Sequence, residues 1–181
     1  MRIALCGVQC TGKSTLLKEM IKLPEFKDYE IIFEVVRKMI GKIKINQDGN
    51  ENTQFTISNA HVENLKYKNV ITDRCILDCY AYSLYAYKHG KISKDELDKL
   101  HKIYADNVDR YDIIFYIRPE FEIVEDGVRS TDVNFRNEVL ENFDYLAKEQ
   151  NNVVELHGTV EERMHTIMKT FREFKSLEEQ K

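Results

Sequence analysis

The sequence predicts an α/β domain, a parallel sheet with helices on both faces, and three observations predict it. Five short apolar runs, rich in Ile, Val and Phe, are spaced along the chain at 3–6, 31–33, 70–72, 113–117 and 153–156. They are continuous rather than alternating, as strands covered on both faces are. Longer segments with helical spacing lie between them, the rhythm of a doubly covered parallel sheet. The first run leads at once into a glycine-bearing turn and an amphipathic segment.

Each element has its own signal. After the strand at 3–6, residues 14–22 read as a helix. After the strand at 31–33, residues 54–66 carry Phe55, Ile57 and Leu65 among polar neighbours. The strand at 70–72 is followed by a helix at 76–88, rich in Tyr and Leu. A second helix, 93–110, opens Ser-Lys-Asp-Glu, a capping box ahead of Leu97, Leu100 and Ile103. Helices at 132–149 and 160–174 flank the last strand, and Thr159 is a candidate N-cap for the second. Residues 41–52 and 119–130 are expected to be mobile, and the tail at 175–181 to fray. Neither an internal repeat nor a linker is visible, so residues 1–181 read as one domain.

Composition narrows the function. With 181 residues, 43% hydrophobic and 32% charged, the chain can bury a substantial core as an ordinary globular protein. A formal charge of −4 supplies no global basic field for long nucleic acid. No window approaches the roughly 18–20 apolar residues needed to cross a bilayer, and no signal-peptide pattern opens the chain. The expectation is a cytoplasmic protein without a membrane partner. Cys6, Cys10, Cys75 and Cys79 form two C-x3-C pairs. Zinc is one reading. Reduced, mostly buried thiols are the favoured one, because Cys6 falls in a strand and Cys10 inside the loop that follows it.

That loop, Gly7-Val8-Gln9-Cys10-Thr11-Gly12-Lys13-Ser14, fits G-x-x-x-x-G-K-[ST] in full, between a strand and a helix. Gly7 and Gly12 permit backbone that aims successive N–H groups inward, an anion nest at a helix N-terminus. Lys13 can reach the β- and γ-phosphates, and the Ser14 hydroxyl can hold Mg2+. Cys10, Thr11 and Thr15 complete the triphosphate-binding stretch. A GTP switch would carry N-K-x-D on a late strand, and nothing of that form follows 113–117 or 153–156. An AAA-type motor would need more chain. A small-molecule kinase is favoured.

Three further stretches agree. Glu34 ends the second strand and Arg37 follows three residues later, at the sheet edge that borders the ligand crevice. Glu34 can accept or orient the proton of an attacking hydroxyl; a solvated strand-end pair is the plainer reading. Asp73 ends the third strand as the second magnesium motif does, or caps the helix that follows. Arg74 beside it can pair with a substrate anion or with Glu34. Finally, Arg118-Pro119, the segment Glu125-Asp126-Gly127-Val128-Arg129-Ser130 and Arg136 lay out a lid over about 118–136. Arg129 is the first choice for the transition-state contact, Arg136 the second and Arg118 the third.

These stretches resemble the P-loop nucleoside and nucleotide kinases. The chain is most similar to the NadR-like nicotinamide-riboside kinases, an AAA-type ATPase domain. The matching segments are GVQCTGKST, FEVVR, ITDRCILDCYAY and YDIIFYIRPEFEIVEDGVRS, in the family's order. Deoxynucleoside and thymidylate kinases share the strand-end Glu, the Asp-Arg pair and the Arg-Pro. The resemblance implies a P-loop NTPase three-layer sandwich with strand order 2-3-1-4-5. It implies ATP and Mg2+ as donor, Glu34 near the acceptor hydroxyl, Asp73 near the metal and Arg129 in the lid. The acceptor it implies is a nucleoside- or nucleotide-like small molecule. Relatives that phosphorylate modified bases in DNA, or only bind nucleotide, keep a polynucleotide kinase and a non-catalytic switch as alternatives. A dimer is compatible with this class. Cys75 departs from the family, where many members carry an aromatic residue.

Tyr80, Tyr82, Tyr85 and Tyr87 lie on the helix after Asp73-Arg74. Tyr80 and Tyr87 share a face and could stack on a base, although packing is the commoner use of such a stripe. Phe55, Asn59 and His61 could line the same side, with His61 expected at the surface.

Overall fold

The computed structural model describes residues 1–33, 50–120 and 132–180. Five strands, β1 (Arg2–Cys6), β2 (Glu30–Ile32), β3 (Val70–Asp73), β4 (Ile113–Ile117) and β5 (Val153–Leu156), form one sheet in the order β2-β3-β1-β4-β5. Every pairing is parallel. The helices are α1 (Lys13–Met20), α2 (Glu51–Asn64), α3 (Ile76–Lys88), α4 (Lys94–Asn107), α5 (Val133–Lys148) and α6 (Val160–Glu179).

The continuous apolar strands serve two cores at once. On β1, Ile3 and Leu5 face a core closed by Leu16, Leu17 and Met20 of α1 and by Ile167 and Phe171 of α6. Ala4 and Cys6, pointing the other way, join Leu77 of α3 and Phe135, Val139 and Phe143 of α5. β4 divides likewise, with Ile113, Phe115 and Ile117 on the first side and Ile114 and Tyr116 on the second. Strand side chains alternate between faces, so an all-apolar run is what a three-layer sandwich needs.

Caps set the helix ends. Asn50 accepts from Thr53 N at 3.2 Å, which starts α2 at Glu51 rather than at 54. Ser93 and Glu96 form the expected capping box of α4, and Thr159, the candidate N-cap of α6, also forms a box with Glu162. The helix expected over 93–110 stops at Asn107, and a 3-10 turn at Val108–Arg110 leads into β4. α6 continues through Glu179, so most of the tail expected to fray is helical.

Register places the site. Leu5 pairs with Asp73 and Cys6 with Tyr116, so β1, β3 and β4 end at one edge of the sheet. Ligands of open parallel sheets bind beyond such carboxyl ends. Among the described residues no helix is long and apolar enough to cross a membrane.

Candidate active site

The turn after β1 is built around one close approach. Gly7 has φ +134°, and a Cβ there would lie 2.4 Å from the Ile117 carbonyl oxygen at the end of β4. Only glycine lets the two strand ends meet. Cys10 (φ 58°) and Gly12 (φ 89°) are also left-handed, so the chain wraps on itself before α1 begins at Lys13. The Lys13 ammonium, 4% exposed, crosses the turn. It donates to Gly7 O at 2.8 Å, Val8 O at 2.6 Å and Thr11 Oγ1 at 3.1 Å. Carbonyl dipoles thus hold a buried cation in the concavity where the sequence places the phosphates.

Ser14 and Asp73 come together beside it: the Ser14 hydroxyl donates to Asp73 Oδ2 at 2.8 Å. Asp73 is 2% exposed, and its Oδ1 is buried with no hydrogen-bond partner among the described residues. A hydroxyl and a carboxylate with an open oxygen, next to a buried ammonium, suit a hard divalent cation. The residues present therefore fit Mg2+. The alternative reading of Asp73 as a helix cap is not what forms, because Cys75 is the N-cap of α3 and its N–H is taken by Asp78 at 2.9 Å.

Asp78, which the sequence reading passed over, lies under the turn. Its Oδ1 accepts from Gly7 N at 3.3 Å and from Arg74 Nη1 at 3.2 Å. Burial pushes its carboxyl up, and Arg74, Lys13 and the two backbone donors offset this only in part. Arg74 also donates to Gly7 O at 3.3 Å and lies 5.7 Å from the Tyr82 ring. Its φ of 78° is unusual for a residue with a side chain. Arg74, expected to serve a substrate anion or Glu34 (outside the described residues), stands beside the turn. In this structure it clamps Gly7 and Asp78, since two buried opposite charges lie within reach of each other. Asp78 and Tyr82 lie four residues apart on α3, so helical spacing could have found the face they share, although Arg74 stands just before the helix.

The other predicted residues divide. Arg136, in the first turn of α5, is buried near Cys10 and Tyr82, and desolvation lowers its pKa. It stands on the loop side. Arg118 does not: its guanidinium pairs with Asp144 at 3.0 Å and lies 3.8 Å from Glu155, lining a cavity of about 190 Å³ between α5 and β5. Two nearby carboxylates draw it there. Tyr80 takes the commoner, packing use of the stripe: its ring stacks on Tyr104 of α4 at 4.8 Å and 17°. Tyr82 is the tyrosine that reaches the loop, donating to Gln9 Oε1 at 3.3 Å. His61, expected at the surface, is fully buried. Glu34, Arg37 and Arg129, with the lid segment 121–131, lie outside the described residues.

The four cysteines are free thiols, with Cys6, Cys75 and Cys79 buried. Ligand atoms of Cys6, Cys75 and Asp78 lie within 4.8 Å of one another. Asp78 already accepts from two backbone N–H groups and Arg74, so this trio reads as a hydrogen-bonded core cluster.

Arg163 of α6 escaped the sequence reading altogether. It is 1% exposed and donates through Nη1 to Thr11 O at 2.8 Å and through Nη2 to Glu120 Oε2 at 2.7 Å. Glu120 in turn accepts the Gly158 N–H, at 3.0 Å to Oε2. Desolvation pushes the Glu120 carboxyl up, but Gly158, Arg163 and His157 outweigh it and hold it below the usual carboxylate range.

Known structures share this arrangement of strands. A deoxyadenosine kinase from M. mycoides with dCMP and a flexible dCDP bound superposes with a TM-score of 0.76 at 20% identity, over 96% of this chain and 99% of that one. The same kinase with bound dATP gives 0.68 at 18%, over 95% and 100%. A NadR protein in complex with NR gives 0.72 at 19%, over 95% of this chain and 50% of that one. At such identities the likeness establishes the fold alone. No protein of curated function matches the sequence. From the start of β1 to the arginine of α6 that grips the phosphate loop, residues 2–163 match the family model AAA_28, described as an AAA domain, and the chain belongs to that family.

Proposed function

We propose that the protein transfers the γ-phosphoryl group of ATP to a hydroxyl or phosphate of a nucleoside- or nucleotide-like small molecule. The observation that carries this reading is the Ser14–Asp73 contact of 2.8 Å beside the buried Lys13 ammonium. It joins a metal-binding pair to a phosphate-binding turn, which is what phosphoryl transfer asks of a protein: positioning and charge stabilisation more than covalent chemistry. The kinases with this fold bind deoxynucleotides or NR, which supports an acceptor of that class.

Each residue then has a task. The loop N–H groups and Lys13 bind the β- and γ-phosphates. Ser14 and Asp73 would hold Mg2+, which would supply neutralising charge at those oxygens. Arg136 approaches from α5, and Arg129 is assigned the transition-state contact. Glu34 is assigned to orient the acceptor hydroxyl, and Arg37 to bind the acceptor. Gly7 and Gly12 give the turn its shape, while Cys10, Thr11 and Thr15 supply backbone and side-chain contacts along it.

ADP formation measured across nucleosides, nucleotides, nicotinamide riboside and oligonucleotides tests the reading. ADP is expected only with the correct small acceptor, and Lys13→Ala and Asp73→Ala abolish it. Hydrolysis that ignores every acceptor overturns it. Labelled phosphate found in oligonucleotides but not in free nucleosides transfers the assignment to polynucleotides.

A further inference from the structure

Arg163 breaks a local rule. It lies in the first turn of α6, where the positive end of the helix dipole disfavours a cation, and it is 1% exposed. A buried charge at the wrong helix end needs a compensating gain, and such violations concentrate where function is served.

The gain lies in what the guanidinium holds. Nη1 takes the Thr11 carbonyl at 2.8 Å, and a Cβ on Gly12 would sit 3.6 Å from the same nitrogen. The peptide between Thr11 and Gly12 is trans. In a trans peptide the carbonyl and the N–H point in opposite directions. Drawing Thr11 O toward α6 therefore turns the Gly12 N–H away from α6 and into the loop. Nη2 is anchored on Glu120, just after β4, and Glu120 is anchored on the Gly158 N–H, just before α6. Only a planar fork spans two such acceptors; an ammonium on a flexible stem does not.

We propose that Arg163 is a positioning residue for the donor's phosphates, orienting the Gly12 N–H through the Thr11 carbonyl; this rests on the phosphate-donor reading above. Arg163 makes the loop's donors stand ready before the nucleotide arrives, with Glu120 as its fixed point.

Isothermal titration of the full chain with Mg-ATP, inorganic tripolyphosphate and adenosine tests it, in the wild type, Arg163→Lys and Arg163→Ala. In both variants tripolyphosphate and ATP are expected to bind about 10- to 100-fold more weakly. Adenosine affinity stays within about twofold, because the lost interaction acts on phosphate alone. Millimolar guanidinium restores part of the tripolyphosphate affinity of Arg163→Ala. Unchanged tripolyphosphate binding in a folded variant overturns the proposal. So does an equal loss of adenosine and tripolyphosphate without guanidinium rescue, which marks Arg163 as a mere tie between α6 and the loop. A wild type that binds neither ATP nor tripolyphosphate defeats the donor reading first and this one with it.

Discussion

The Ser14 hydroxyl donates to Asp73 Oδ2 at 2.8 Å although 59 residues separate the two in the chain. Parallel pairing of β1 with β3 closes that gap, since Leu5 lies opposite Asp73 and α1 starts from the turn beyond β1. Asp73→Asn keeps the shape and removes the charge. It is expected to raise the Mg2+ concentration for half-maximal activity about 10- to 100-fold. Thermal stability should not fall, because Oδ1 of the native carboxylate is buried without a hydrogen bond among the described residues. A metal titration of activity beside a melting curve checks both.

Gly7 is the backbone's tightest point. Gly7→Ala drives a Cβ to 2.4 Å from Ile117 O at a φ of +134°. The expected loss is about 2–4 kcal/mol in urea denaturation. Gly90→Ala, at φ +65° with nothing within 4 Å of the added Cβ, serves as comparison and should cost only about 1 kcal/mol.

Arg74 and Asp78 are each under a tenth exposed and 3.2 Å apart. Asp78→Ala takes the buried carboxylate away from the Arg74 guanidinium, at a cost of about 3–5 kcal/mol. Removing Arg74 as well should cost less than the two single changes added together. A double-mutant cycle reads the difference.

Glu120 has a folded pKa below its ordinary value. Its stabilising contribution is therefore complete above the ordinary carboxylate value and is lost as pH falls through the lower, folded one. Wild-type stability should drop in that acid window, and Glu120→Gln should lack this part of the drop. Parallel slopes for the two proteins across the window would contradict the assignment.

The arginines supply a functional contrast. Arg136→Ala should depress kcat/KM by about 10-fold or more, because its guanidinium stands beside the loop. Arg118→Ala, which loses ion pairs to Asp144 and Glu155, should leave kcat/KM within about threefold. Steady-state kinetics with the acceptor found in the panel decides.

How far the sequence could be read follows from which interactions are local. The turn at 7–14 is legible because its glycines, lysine and serine act within one loop and need no distant residue to be recognised. The strands are legible because burial on both faces demands unbroken Ile, Val and Phe. Capping boxes at Ser93 and Thr159 span four residues and appear as written. Asp78 and Tyr82 were within reach too, four residues apart on one face of α3.

Other residues were decided by partners far away in the chain. Arg118 follows β4 by one residue, and nothing beside it says that Asp144 and Glu155 will draw it toward α5 and β5. Tyr80 and Tyr82 are alike in the sequence, yet one stacks on Tyr104 and the other meets Gln9. Arg163 reaches Thr11 across 152 positions.

By itself, then, the sequence determined the α/β class, the phosphate loop and the helix caps, since each is written in short-range spacing and in backbone geometry only certain residues adopt. The tertiary structure alone decided which cations serve the loop. A guanidinium goes where acceptors converge, and that convergence is produced by sheet order and register: Asp78 beneath Arg74, Glu120 and the Thr11 carbonyl before Arg163, Asp144 beside Arg118.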